Sequence, residues 1–223
     1  ALVCEGTSIS DTVSTLTEKD VELHMEKCIK ECGGLVIVNT STCDIDRIKT
    51  VCNVARKTGR TPIASESFTQ VLNALKDDKK LRPPKVGKDV LEYEKEWEEA
   101  KRRQSEYILL TTFYREKEII EIEPATSSIF ILSSSEPFEE ESEIEFERLK
   151  NWLELFGVPI HHIHSSGHAL PMDLRRTVEA LTPKKMFPVH TSSPHAFGKF
   201  LFDVIKQRGI SFTAPERGKE YTI

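Results

Sequence analysis

The chain has 223 residues, 38% of which are hydrophobic, and a formal net charge of −5. This composition excludes a disordered or fibrous protein, and no apolar run approaches the ~20 residues that a membrane-spanning helix needs. The acidic balance argues against a protein that holds nucleic acid by bulk charge, although it leaves room for a local basic groove. All five cysteines lie in the first quarter of the chain, which suits reduced thiols, so we expect a soluble, cytoplasmic protein without a membrane partner.

The first third of the chain alternates short apolar strands with amphipathic helices. The predicted elements are a strand at 1–5, a helix at 21–31 with Thr17 as its N-cap, a strand at 35–38, a helix at 45–58 ended by Gly59, a strand at 61–64 and a helix at 68–75. Continuous apolar runs such as Leu35–Val38 are typical of buried parallel strands. The alternation predicts an α/β fold with a doubly wound, mostly parallel sheet.

A basic loop interrupts this order at residues 77–88, where charged side chains surround two prolines. After it, the predicted elements are a charged helix at 91–107, strands at 107–113 and 127–132, a helix at 137–156, a strand at 158–164, a helix at 171–181, a strand at 185–189, a helix at 195–207 and a hairpin or tail at 210–223. Pro137 and the acidic residues after it are typical of a solvated helix start, which favours that interpretation over a metal site.

Three predicted strands end on residues that can carry chemistry. Two of them lead into Ser165-Ser166-Gly167-His168-Ala169 and His190-Thr191, and the first strand of the chain ends on Glu5. Strand ends of an α/β sheet normally present catalytic side chains, so one rim could hold both imidazoles. From strand-end placement alone, a structural role for each histidine stays equally open. His162 and His164 share one strand face, but no acidic partner follows them, which favours a structural role.

Five short segments, taken in order, resemble the β-CASP branch of the metallo-β-lactamase fold. These segments are Glu5-Gly6-Thr7, Asp44-Ile45-Asp46-Arg47, Ser135-Glu136-Pro137-Phe138, Ser166-Gly167-His168-Ala169 and Pro188-Val189-His190-Thr191. That branch contains RNase J, the cleavage-and-polyadenylation endonucleases and the Artemis-type DNA nucleases. The resemblance implies that Glu5 is the motif A carboxylate, His168 the motif B histidine and His190 the motif C histidine.

The resemblance also implies an architecture. Residues 1–13 and 159–223 would belong to a metallo-β-lactamase αββα sandwich, with 159–223 as the C-terminal return to it. Residues 14–158 would form the inserted β-CASP domain, a clamp that closes over the cleft and tracks RNA. Homodimer formation stays open.

The reaction implied by the resemblance is zinc-dependent phosphodiester hydrolysis. In the family, two zinc ions polarise the phosphodiester and activate water, and His190 would bind one of these ions. His168, oriented by Glu5, would protonate the departing oxygen. A histidine at motif C goes with RNA-processing members, whereas the DNA-repair branch tends to carry valine. Thr191 favours the archaeal branch.

Two kinds of side chain are candidates for contacts with RNA phosphates. Hydroxyl groups at strand ends and helix starts bind anions well. The hydroxyl candidates are Ser133, Ser134, Ser135, Ser165 and Ser166. The basic candidates are Lys79, Lys80 and Arg82. An ordinary solvated loop explains the three basic residues equally well.

A family member should also carry His-x-His-x-Asp-His, and no such string occurs in this sequence. Because the chain opens directly on a strand and keeps motifs A, B and C, we expect it to be the C-terminal portion of a longer polypeptide. The missing N-terminal metallo-β-lactamase segment would then be its partner. Since one imidazole cannot hold a catalytic zinc, the chain alone should bind zinc weakly and cleave nothing.

Three other functions stay open from the sequence. A non-catalytic RNA-binding or scaffolding β-CASP paralogue would fit the fold, but such a protein has less reason to keep Glu5, His168 and His190. A DNA nuclease of the same family is a second alternative. An unrelated α/β nucleotide-binding domain is a third, and no glycine-rich phosphate loop supports it.

Overall fold

The computed structural model describes residues 1–10, 16–135 and 140–222. Its strands are β1 Leu2–Glu5, β2 Val36–Asn39, β3 Thr61–Ala64, β4 Leu91–Glu92, β5 Tyr107–Thr111, β6 Ile129–Leu132, β7 Ile160–His162, β8 Lys185–Val189 and β9 Ser211–Phe212. Its α-helices are α1 Glu18–Glu31, α2 Ile45–Thr58, α3 Glu66–Ala74, α4 Tyr93–Arg102, α5 Glu116–Ile122, α6 Glu140–Leu155, α7 Pro171–Leu181, α8 Pro194–Phe200 and α9 Phe202–Arg208. In these described ranges no helix has both the length and the apolar content to cross a bilayer.

The chain divides into two compact units, the smaller made of residues 1–15 and 166–223 and the larger of residues 16–165. The larger unit is built on a six-stranded parallel sheet in the order β4-β3-β5-β2-β6-β7. Parallel neighbours need crossover connections, and helices supply them. Helices α1–α3 pack on one face of this sheet and α4–α6 on the other. The prediction of an α/β fold with mostly parallel sheets is therefore confirmed.

Each central strand of the larger unit contributes to two apolar cores. Val36 and Val38 of β2 face the helices on one side, whereas Ile37 faces those on the other. Successive strand residues point to opposite faces, so a strand covered on both sides needs apolar residues throughout. This burial explains why these strands are continuous apolar runs in the sequence.

Local signals set helix ends close to the predicted positions. Thr17 and Asp20 form a reciprocal capping box, and α1 begins at Glu18, three residues earlier than predicted. Helix α2 spans its predicted range and ends on Gly59, whose φ of 72° lies in the left-handed region that favours glycine.

Several segments differ from their predictions. The helix predicted at 91–107 is the short strand β4 followed by α4, because Leu91 pairs with Ile63 before the helix begins. Helix α5 was not predicted. The helix predicted at 195–207 is two helices, α8 and α9, separated at Leu201. The C-terminal segment forms β9, which pairs in parallel with β8 and is therefore not a hairpin. Pro137 lies outside the described residues.

The smaller unit contains a three-stranded parallel sheet in the order β1-β8-β9. Its apolar core is centred on Val178, Met186 and Phe197. Glu5 lies opposite Val189 in the register of β1 and β8, so His190 follows at the same sheet edge. The pairing of these two strands thus positions two of the candidate site residues.

Candidate active site

Glu5, His168 and His190 form one cluster in the smaller unit. A carboxylate oxygen of Glu5 and a ring nitrogen of each histidine all lie within 4.8 Å of one another. Glu5 ends β1, His190 follows β8, and His168 lies in the turn before α7. Glu5 and His190 lie far apart in the sequence and meet here because the parallel pairing of β1 and β8 places both strand ends at one edge. In the described ranges no other group of three His, Cys, Asp or Glu side chains is close enough to hold a metal ion.

Backbone amides hold the Glu5 carboxylate in place. The N–H of Thr7 donates to Oε2 and the N–H of Ala169 donates to Oε1, both at 2.8 Å. Burial acts to raise the pKa of Glu5, but these two hydrogen bonds and the nearby His168 outweigh it and leave the pKa below its ordinary value. Glu5 is therefore ionised at neutral pH, with an oxygen fixed on each side of the cluster.

His168 lies beside this carboxylate. Its Nδ1 is 3.5 Å from Oε2 of Glu5, and its side chain is 40% exposed. The backbone N–H of His168 donates to the Ser166 hydroxyl at 3.2 Å, which helps to fix the turn. An ionised carboxylate next to Nδ1 favours the tautomer that carries its proton on that nitrogen. The opposite nitrogen, Nε2, then faces away from Glu5 and is the atom that can exchange a proton with a ligand.

His190 is held through the hydroxyl of Thr7. Oγ1 of Thr7 lies 2.9 Å from Nδ1 of His190 and 3.0 Å from the His190 carbonyl oxygen. A carbonyl oxygen only accepts, so the single hydroxyl hydrogen goes to it, and the hydroxyl oxygen is left to accept from Nδ1–H. This arrangement places the lone pair of the neutral ring on Nε2, as a metal-binding or proton-accepting imidazole requires. His190 also holds a left-handed φ of 48°, directly after β8 ends.

The two imidazoles face each other across the cluster. Their ring centroids are 5.3 Å apart with an interplanar angle of 33°. In the described part of the chain no hydrogen bond reaches Nε2 of either ring. The cluster therefore offers one anchored carboxylate and two imidazole nitrogens to a ligand, a donor set suited to proton transfer and to partial metal coordination.

Two residues that the sequence named only as part of the segment Glu5-Gly6-Thr7, with no role of their own, support the site. Thr7 contacts Glu5 through its amide and His190 through its hydroxyl. Gly6 lies against Phe197, where an added Cβ would meet ring atom Cε2 at 2.7 Å. The signal for both was their position in the turn directly after Glu5, between two strand ends that the sequence had already marked.

The serine candidates have different surroundings. Ser133 has no exposed surface, and its hydroxyl donates to the carbonyl of Ile163 at 2.7 Å. The buried guanidinium of Arg47 also contacts Ser133, so this hydroxyl is part of the interior of the larger unit. The Ser134 hydroxyl donates to Oδ1 of Asn39 at 3.0 Å. Ser135 is exposed, whereas Ser165 and Ser166 are half-buried.

The remaining candidates lie in the larger unit. His162 and His164 stack with ring centroids 6.4 Å apart, and burial and the charge of Arg47 lower the pKa of His164. Both observations favour a structural role for this pair. The three basic candidates of the loop at 77–88, Lys79, Lys80 and Arg82, are exposed.

No protein-family model matches the chain, and no curated protein sequence matches it. Among solved structures, the chain is similar to one described as the crystal structure of a protein of unknown function from Enterococcus faecalis V583. The TM-score is 0.68 at 16% sequence identity, over 97% of this chain and 50% of that one. The chain thus spans about half the length of that protein. At this identity the likeness concerns the fold alone.

Proposed function

We propose that this chain supplies the acid–imidazole pair and a metal-binding imidazole of a zinc-dependent, RNA-processing phosphodiesterase of the β-CASP type. The observation that carries the proposal is the approach of Glu5, His168 and His190 to within 4.8 Å of one another. The larger unit would be the β-CASP domain and the smaller one part of a metallo-β-lactamase sandwich. RNA and an N-terminal segment with the remaining zinc ligands would be the partners of the chain, in the cytoplasm.

Each residue of the cluster has a distinct part in the proposed hydrolysis. Glu5 keeps the proton of the His168 ring on Nδ1 and stabilises its charged form. As water oxygen bonds to phosphorus and the phosphorus–oxygen bond to the leaving group breaks, Nε2 of His168 gives its proton to the departing oxygen. The protons of the attacking water pass to solvent. His168 is thus the proposed general acid and Glu5 its positioning residue.

The donor set of the cluster fits zinc only in part. His190 presents Nε2 with Nδ1 already bound to Thr7, as a zinc-binding histidine requires. Both oxygens of Glu5 accept backbone hydrogen bonds, which leaves them less able to bind a metal. Zinc, when bound, would supply Lewis-acid polarisation of the phosphate. One well-presented imidazole accounts for the expected weak zinc binding of this chain alone, because zinc sites take three or four protein ligands.

The proposal is tested by zinc-dependent cleavage of a 5′-labelled single-stranded RNA with the polypeptide encoded by the complete reading frame. We expect His168→Ala to lower the cleavage rate by about 100-fold or more, since general acids contribute roughly 10²- to 10⁴-fold. His190→Ala should lower both the rate and the bound zinc.

His195→Ala is the matched control for both variants. His195 is an exposed histidine of α8 in the same unit and is outside the cluster. Full cleavage by the His168→Ala and His190→Ala variants would contradict the proposal. Equal losses in all three variants would contradict it as well, because the effect would then come from general destabilisation. A double-stranded DNA substrate in parallel tests the DNA nuclease alternative.

A further inference from the structure

A basic pair of cavities lies in the larger unit; the loop that follows α3 lines both, and α2 lines the smaller one. The smaller cavity has a volume of about 160 Å³ and the larger about 490 Å³. Arg82, Pro83 and Asp89 line both cavities, so the two adjoin. The smaller is several times the roughly 30 Å³ of one water in the liquid, which leaves room for a group the size of a phosphate.

The side chains that line these cavities carry a local excess of positive charge. Six are cationic and three are carboxylates, in a chain whose net charge is −5. The cations are Lys49, Arg56, Lys76, Lys79, Arg82 and Lys85. Only the first of them forms an ion pair in the described residues, with Asp46 at 2.9 Å. Five cationic groups are therefore available to an anion.

Two of the three carboxylates are committed to the backbone. Oδ1 of Asp78 accepts from the amides of Lys80 and Leu81, and these hydrogen bonds lower the pKa of Asp78. Oδ2 of Asp89 accepts from the amide of Lys85 at 2.9 Å. These carboxylates shape the loop and have fewer free lone pairs with which to neutralise the cations.

Arg82 is held between the two cavities by a constrained turn. Its φ is 46°, in the left-handed region that residues other than glycine adopt only at a cost. The turn is closed by its amide, which donates to the Asp78 carbonyl at 3.0 Å, and by Nε, which donates to the Lys79 carbonyl at 3.2 Å. Buried Pro83 and Pro84 fix the chain that follows. These two hydrogen bonds hold the turn that carries Arg82, and Arg82 lines both cavities.

The thiol at the smaller cavity does not oppose an anion. Cys52 lines this cavity and is 6% exposed. Burial, reinforced by the negative charge of Asp89, raises the pKa of the Cys52 thiol to about 12. The thiol is therefore neutral at physiological pH.

We infer that the two cavities form a binding site for linked phosphate groups, with Arg82 between two neighbouring phosphates. Arg56 serves the phosphate in the smaller cavity, and Lys79 and Lys85 serve the one in the larger. Arginine binds phosphate through paired N–H groups and lysine as a point charge, so the lining combines both modes. Free diphosphate and the backbone of an RNA strand share this chemistry. The inference does not depend on the proposed function, because none of these residues belongs to the Glu5 cluster.

The test is a binding titration in metal-free buffer containing a chelator, with inorganic pyrophosphate in one arm and a short single-stranded RNA in the other. The Arg82→Ala variant should weaken binding by about tenfold, since hydrogen bonds between charged groups are the strong ones. Lys88→Ala is the matched control. Lys88 carries a single positive charge and is exposed in the same loop but lines neither cavity, so its replacement should change affinity less than about twofold.

Arg56→Ala is the second variant, because Arg56 is on the exposed surface of α2 and its replacement leaves the left-handed turn intact. Its expected loss is also about tenfold. Binding of pyrophosphate that depends on both arginines supports a small-molecule ligand, and binding of RNA alone with the same dependence supports an RNA strand. No binding in either arm, or equal losses in the Arg82→Ala and Lys88→Ala variants, would overturn the inference. A failure of the nuclease proposal at Glu5, His168 and His190 would not change the phosphate-binding result at the two cavities. The two proposals can therefore be refuted separately.

Discussion

Replacing Glu118 with Gln should stabilise the protein at and above neutral pH and change little below about pH 5. Glu118 is 4% exposed, and Thr111 Oγ1 donates to its Oε2 at 3.1 Å. Its other oxygen, Oε1, has no hydrogen-bond partner among the described residues. Burial raises the pKa of Glu118 to about 7, and the Thr111 hydrogen bond and the Arg115 charge offset only part of this effect.

The direction of the effect follows from the protons bound in each state. Between the ordinary pKa of 4.5 and about 7, native Glu118 keeps a proton that the unfolded chain loses. The free energy of unfolding therefore falls as the pH rises through this interval and stays low above it. At about 1.4 kcal/mol per pH unit, the loss reaches roughly 3 kcal/mol. The glutamine variant has no carboxyl group to ionise and should not show this loss.

Urea unfolding of the wild type and the Glu118→Gln variant at about pH 5 and about pH 8 measures the effect. We expect the two proteins to agree at the lower pH and to differ by roughly 3 kcal/mol at the higher one, with the variant more stable. Glu98→Gln is the control, since Glu98 is exposed on α4 and should show no such pH dependence. Parallel pH profiles for wild type and Glu118→Gln would refute the reasoning.

Three further changes probe the candidate site. Thr7→Val keeps the shape of the side chain but removes the hydroxyl. The tautomer ratio of His190 should shift by roughly fivefold, which corresponds to the loss of about 1 kcal/mol of hydrogen bonding. Ring ¹⁵N chemical shifts measure this ratio, and an unchanged ratio would refute the assigned tautomer. Glu5→Gln leaves one backbone amide without an acceptor, and hydrogen exchange at Thr7 or Ala169 should accelerate about tenfold or more; unchanged protection at both would contradict the anchoring. Gly6→Ala places a Cβ against Phe197 and should destabilise the chain by about 1–3 kcal/mol in urea unfolding, whereas a stable variant would show that the ring can move.

The sequence predicted the parallel, two-sided fold well because burial on both faces leaves a visible mark. Val36–Val38 is apolar throughout, as a strand covered on both faces requires. Helix α2 ends on a left-handed residue, a conformation that favours glycine, so Gly59 marks the helix end in the sequence. Helix α5 was missed because it is short and lies just after a strand. Of the hairpin or tail expected at 210–223, the hairpin was wrong: β9 pairs in parallel with β8, and its two residues carry no signal of the direction in which a strand pairs.

The sequence predicted the three main residues of the candidate site but not the residues that hold them in place. Glu5, His168 and His190 stood out because the sequence predicts a strand that leads into a turn at each of them. Glu5 and His190 do lie at strand ends, but β7 ends at His162, and His168 lies in the turn before α7. Thr7 did not stand out, because its role depends on the distance from its hydroxyl to Nδ1 of His190, a contact between residues far apart in the chain. The burial of Ser133 could not be predicted either, because Ser133 contacts Arg47, a residue far away in the sequence.

The proposed function requires that Glu5, His168 and His190 act as one site. A zinc titration of the 223-residue chain, followed by NMR of the rings of its seven histidines, tests this claim most directly. We predict that the His190 ring responds to zinc through Nε2, that the His168 ring responds in step with it, and that His190→Ala abolishes both responses. Ring signals of His162 and His164 that shift first on adding zinc would contradict this prediction. So would a His168 response to zinc that is the same in the His190→Ala variant as in the wild type.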